Sequence, residues 1–61
     1  MIELVCRLNK VDNDWICTVY ADGKQCFCVL EEEADDMVQK NNVKKFTTEE
    51  TDTVYVERYC F

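Results

Sequence analysis

Sixty-one residues leave room for one domain, 1–61, close to the lower size at which a single core is stable. At 48% hydrophobic and 33% charged the composition is that of a folded chain, not a disordered one. Thirteen acidic against seven basic residues, no histidine and a lone glycine exclude a basic nucleic-acid binder, the commonest general base and zinc ligand, and a glycine-rich phosphate loop. No apolar run reaches the ~20 residues of a membrane span, and no basic segment precedes an apolar one at the start. The reading is therefore a soluble, cytoplasmic protein with no membrane partner.

Residues Ile2 to Leu8 alternate: Ile2, Leu4, Cys6 and Leu8 point one way and Glu3, Val5 and Arg7 the other, which predicts a strand with one buried face. Asn9 to Asp14 (NKVDND) is a polar connection rich in turn formers. Trp15 to Leu30 reads as a hairpin, because Asp22-Gly23 stands between two apolar, β-branched runs and both central residues of a type I′ turn need positive φ. A two-residue turn sets Ala21 opposite Lys24, Val19 opposite Cys26, Cys17 opposite Cys28 and Trp15 opposite Leu30. The last six then form the core wall, and Ile16, Thr18, Tyr20, Gln25, Phe27 and Val29 make the other face. A three-residue turn with Gly23 as the bulge residue is the alternative, and it brings Ile16 and Tyr20 beside the cysteines.

From Leu30 the period changes. Leu30, Ala34, Met37 and Val38 fall on one helical stripe that would lie across the core wall, while Glu31, Glu32, Glu33, Asp35 and Asp36 occupy the remaining surface. The helix is expected to end near Asn41-Asn42, since Asn tolerates left-handed backbone. Its early carboxylates and late Lys40 suit the macrodipole. Val43 to Thr48 admits either a short edge strand guarded by its lysines or an extended loop. Glu49 to Asp52 reads as a turn, although Thr47 with Glu50 also matches a capping box that would start one helical turn. Thr53 to Phe61 is the last strand, with Val54, Val56, Arg58 and Cys60 on one side and Tyr55, Glu57, Tyr59 and Phe61 on the other. The predicted fold class is α+β: a small antiparallel sheet in the order β-β-β-α-β, with room for a fifth short strand, and one helix packed on one face. With one glycine and no proline, the turns must rely on Asn and Asp.

Five cysteines are an odd count, and without a secretion signal they read as reduced thiols acting as small buried hydrophobes. Cys17, Cys26 and Cys28, with Cys6 or Cys60 as a fourth ligand, compose an alternative thiolate metal or redox module. Zinc thiolates usually sit on knuckle turns, whereas this pair is mid-strand. We therefore expect no cofactor, no metal and, with no cysteine beside a base, no catalytic residue.

Two surfaces remain as partner-binding candidates. Glu31, Glu32, Glu33, Asp35 and Asp36 place five negative charges in six positions, whereas the rest of the chain is nearly balanced. Such a row repels itself; it is either a solvated helix face or a docking face for a basic partner, imitating phosphates or raising the encounter rate. The second candidate is an uncovered sheet face carrying Ile16, Tyr20, Phe27 and Val29, with Tyr55, Tyr59 and Phe61 nearby. Base stacking on it is disfavoured by the net charge of −6, so no direct nucleic-acid contact is expected. An apolar, aromatic patch on an acidic domain fits a protein partner or a homodimer, unless the polar connections pack over it. The combined expectation is a small acidic, non-enzymatic binding module, an inhibitor that occludes a basic, nucleic-acid-handling surface of a larger protein. The alternatives are a homodimeric accessory protein using the sheet face and the thiolate module. Read as complete, the chain resembles, as a class, the small inhibitors that bacteriophages make against host polymerases, nucleases or defence complexes. That resemblance rests on size and charge alone and implies action in the host cytoplasm.

Overall fold

The left-handed positions fall where Asn and Asp were needed: Asn13, Asp22 and Asn42 have φ of 54°, 52° and 51°, and Gly23 has 82°. Between them the computed structural model, which describes residues 1–61 except the side chains of Phe46 and Thr47, forms β1 (Ile2–Asn9), β2 (Asp14–Ala21), β3 (Lys24–Val29), α1 (Glu31–Lys40), β4 (Lys45–Glu50) and β5 (Val54–Cys60). The strands make one sheet in the order β3-β2-β1-β5-β4, every neighbour antiparallel. This is the expected α+β architecture in its five-stranded form.

The alternation in β1 does what its pattern implies. Leu4 faces Val19, Cys6 faces Cys17 and Leu8 faces Trp15 across the β1–β2 ladder. α1 crosses this face over β1 and β2 and seats the buried Ala34 on Leu4, Cys6, Cys17 and Val19. Trp15, Val29, Met37, Val38, Tyr59 and Phe61 close the margins of the cluster. The first connection is tied locally, with Asn9 Oδ1 accepting from the Val11 amide at 3.0 Å and Asn9 Nδ2 donating to Asp12 at 3.1 Å.

The central hairpin keeps the predicted turn but not the predicted register. Positive φ at both Asp22 and Gly23 gives the type I′ backbone, and Ala21 does pair with Lys24. Beyond Tyr20, which faces Gln25, an irregularity in the ladder makes Val19 face Phe27, Thr18 face Cys28 and Cys17 face Val29. Cys26 is thus the extra residue of a β-bulge, and it inverts every later side chain of β3. Phe27 and Val29 turn to the helix side, and Cys28 turns to the open side beside Thr18. The exchange is favourable, because Val29 joins the core where the bulge-free register would have placed the smaller Cys28. Leu30 also departs from expectation. It is the N-cap of α1, 69% exposed, and not part of the buried stripe.

α1 ends as its asparagines imply. The Val43 amide donates to the Val38 carbonyl at 3.2 Å and the Asn42 amide to the Gln39 carbonyl at 3.3 Å, a Schellman closure around left-handed Asn42. The ambiguous segment after it is strand β4, with a register irregularity between Lys45 and Thr47. Glu49 and Glu50 belong to that strand, so no helical turn starts at Thr47, and the reversal falls at Thr51–Thr53. There the Thr51 hydroxyl accepts from the Thr53 and Val54 amides at 3.3 and 3.1 Å. Among the described residues no helix is long and apolar enough to cross a membrane.

Candidate functional site

All five carboxylates of the acidic run lie exposed on α1, because Ala34, Met37 and Val38 alone turn toward the sheet. Glu31, Glu32 and Glu33 occupy the first turn, where the free amides of the helix favour negative charge, and no side chain caps that end. Among the described residues only Asp36 is paired, with Lys40 at 2.9 Å one turn on. The other four carboxylates have no ion-pair partner among the described residues and face solvent. The helix thus presents a continuous acidic ridge on the side of the molecule away from the open sheet face.

The aromatic sheet face expected from the sequence is divided between the two sides. Ile16 and Tyr20 lie on the open face, Ile16 being 52% exposed. Phe27 and Val29 are on the helix side because of the bulge. Tyr55 and Tyr59 join them, since β5 pairs with β1 so that Leu8 faces Tyr55 and Leu4 faces Tyr59. Phe61 packs against the same core. The alternation within β5 was legible, but the side it turns to the helix is the tyrosine side. The helix lies mainly over β1 and β2, so long amphipathic rings can wall the remainder of that face where small apolar residues would leave gaps.

With those rings removed, the open face is a shallow trough of about 650 Å³. Its floor includes Thr18 and Val56, 9% and 8% exposed, and its walls include Arg7, Ile16, Tyr20 and Arg58. Thr18 Oγ1 shares a hydrogen bond with Cys28 Sγ at 3.7 Å. Arg58 reaches Glu49 at 3.4 Å, while its buried Nε has no partner among the described residues.

The sequence reading passed over one polar constellation. Tyr55 and Tyr59 donate to the two oxygens of Glu57 at 2.8 and 2.7 Å, with Lys45 Nζ 3.8 Å away. Trp15 meets the Tyr55 ring edge-on at 6.0 Å between centroids. Burial acts to raise the Glu57 pKa, but the two phenol hydrogen bonds and Lys45 outweigh it and hold the carboxyl below its ordinary value. Burial and the Glu57 charge push the Tyr59 phenol up. Tyr-x-Glu-x-Tyr in a strand places all three on one face, and that spacing was the signal available. Every bond in the cluster is satisfied from within, so it reads as a structural clasp.

The cysteines do not converge on a metal. Cys6 and Cys17 face each other in the core, Cys28 and Cys60 lie on the open side and Cys26 is the bulge residue. All five thiols are free, and among the described residues no three metal-ligating side chains come together. Cys17 and Cys28 are on opposite sides of the sheet, so they do not stand together as the thiolate module requires. Burial raises the pKa of Cys6 and Cys17 and keeps them protonated, the state of a packing group and not of a nucleophile. No protein-family model, no curated protein and no solved structure matches the chain.

Proposed function

We propose that this protein is a non-enzymatic binding module that uses the acidic ridge of α1 to occlude a basic, nucleic-acid-handling surface of a larger protein. The observation that carries the reading is the solvent-exposed row of Glu31, Glu32, Glu33, Asp35 and Asp36 with a single ion pair, Asp36–Lys40, among the described residues. Surface helices ordinarily intersperse both signs, because like charges one turn apart destabilise a helix by a few tenths of a kcal/mol per pair. A cationic partner surface relieves that repulsion on binding and is drawn in over roughly a Debye length of 8 Å at physiological salt. A chain that carries its charge on a rigid helix needs no chemistry to compete with nucleic acid for such a surface.

The test is capture of partners by the tagged protein from a bacterial lysate at low and moderate salt, followed by mass spectrometry. A stoichiometric nucleic-acid-processing protein whose recovery falls with salt is expected. Reversing Glu32, Asp35 and Asp36 to lysine should abolish its recovery while the circular dichroism spectrum stays folded. Recovery that ignores salt and survives the reversal would remove the helix from the interface.

A further inference from the structure

We propose that β3 is the docking edge for a second copy of this chain, the two β3 strands pairing antiparallel so that two sheets become one. β3 is the outermost strand, with only β2 beside it, so its outward row of backbone N–H and C=O groups faces no other strand of the chain. Such a row is a template for an added strand, and proteins that stay monomeric guard it with charge or cover. The opposite edge is guarded: β4 carries Lys45, Glu49 and Glu50, which pair with Glu57, Arg58 and Lys10. β3 has no such charged guard; its one irregularity is the bulge at Cys26 in mid-strand, after which Phe27, Cys28 and Val29 pair regularly with β2. From Gln25 to Leu30 there is no charge, and every residue from Lys24 to Cys28 is exposed. Phe27, 56% exposed, stands at the helix side of this edge, Leu30, 69% exposed, follows at its end, and Ile16, 52% exposed, lies with Cys28 at the open side.

The charges at the two ends of the uncharged run choose the occupant. Lys24 precedes it and Glu31, Glu32 and Glu33 follow it. Antiparallel pairing of two copies about a two-fold axis at Phe27 sets Lys24 opposite Leu30 of the second copy and beside its Glu31. The apolar run then meets itself, as an isologous interface requires. The axis stands perpendicular to the sheet, so both α1 helices fall on one side of the joined sheet, about 19 Å apart at four strand spacings. The dimer presents the acidic ridge twice in one plane. This inference stands without the occlusion reading, because it rests on the edge and not on the helix.

Sedimentation equilibrium of the reduced full chain over a dilution series tests it. The expected result is a species of twice the 7.2 kDa chain mass, with Phe27→Lys raising the dimer dissociation constant about ten-fold or more. Ile16→Lys, and lysine reversals at Asp35 and Asp36, which lie outside the flanking charges, should leave the constant within about two-fold of the unmodified chain. Failure of the occlusion reading therefore leaves this result untouched. A single-chain mass throughout overturns the proposal, as does a dimer that Ile16→Lys dissociates and Phe27→Lys does not. If circular dichroism shows Phe27→Lys unfolded, hydrogen exchange of the unmodified chain decides. β3 amides that slow as the dimer forms support the pairing, and amides indifferent to concentration refute it.

Discussion

Glu57 shows how much a single side chain can hold when its partners come from its own strand. Two tyrosines two residues away on either side close on its carboxylate at 2.8 and 2.7 Å, and Lys45 brings β4 to it. Hydrogen bonds to a charged acceptor are worth roughly 1.5–3 kcal/mol each before desolvation is deducted, so Glu57→Gln should cost about 1–3 kcal/mol near neutral pH. The sign with pH follows from the lowered folded pKa. The Glu57 contribution is whole above the ordinary value of 4.5 and is lost as pH falls through the lower folded value. Urea midpoints measured from neutral pH downward should therefore fall more steeply below pH 4.5 for the unmodified chain than for Glu57→Gln. Parallel acid limbs would mean that the clasp is not formed in solution. The cluster was readable as Tyr-x-Glu-x-Tyr, but only once β5 was known to turn that side toward Leu4 and Leu8.

Elements were legible where their signals are local. The type I′ turn follows from Asp22-Gly23, and the end of α1 follows from Asn41-Asn42, because a left-handed residue is a property of one or two positions. Asn42, at φ 51°, closes the Schellman motif. Asn42→Ala should destabilise by about 1 kcal/mol, a fall of roughly 4–8 °C in melting temperature for a chain of this size, whereas Asn42→Gly should be neutral or slightly stabilising. A calorimetric scan of the three chains checks the order, and an Ala variant as stable as the parent would remove the cap from the account. The bulge at Cys26 was not legible, for an equally physical reason. Cys26-Phe27-Cys28-Val29 is apolar at both parities, so no pattern within it says which side faces α1. The choice is made by what fits beneath the helix, and Val29 fills space there that a cysteine would leave. For this reason Phe27 and Val29 lie on the helix side and not on the open face where they were expected, and Tyr55, Tyr59 and Phe61 lie there too because β5 turns its tyrosine side to the helix, while the acidic row, written in consecutive residues, stands exposed on α1.

At the scale of the whole molecule the acidic helix and the buried thiols are one electrostatic system. Cys6 and Cys17 face each other beneath α1, and burial is the main reason that both pKa values rise. The negative field of nearby carboxylates adds to it, Glu31 and Asp35 from the helix and Glu57 from β5 for Cys17. A thiol whose folded pKa is raised stays protonated in the native chain while its unfolded counterpart ionises at the ordinary value of 9.0. The native state then holds more protons, and its stability falls as pH rises above 9.0 while staying unaffected below it. Each thiol adds a slope of up to about one proton to this alkaline limb, and Tyr59, also raised, extends it above 10.0. A Cys6→Ala, Cys17→Ala chain should be less stable at neutral pH, by the packing lost beneath Ala34, and yet lose less on going from pH 8 to pH 10.5. Urea midpoints at those two pH values for both chains make the comparison. Equal losses would place the alkaline sensitivity elsewhere. A smaller loss in the double variant would assign the alkaline sensitivity to the two thiols buried beneath α1.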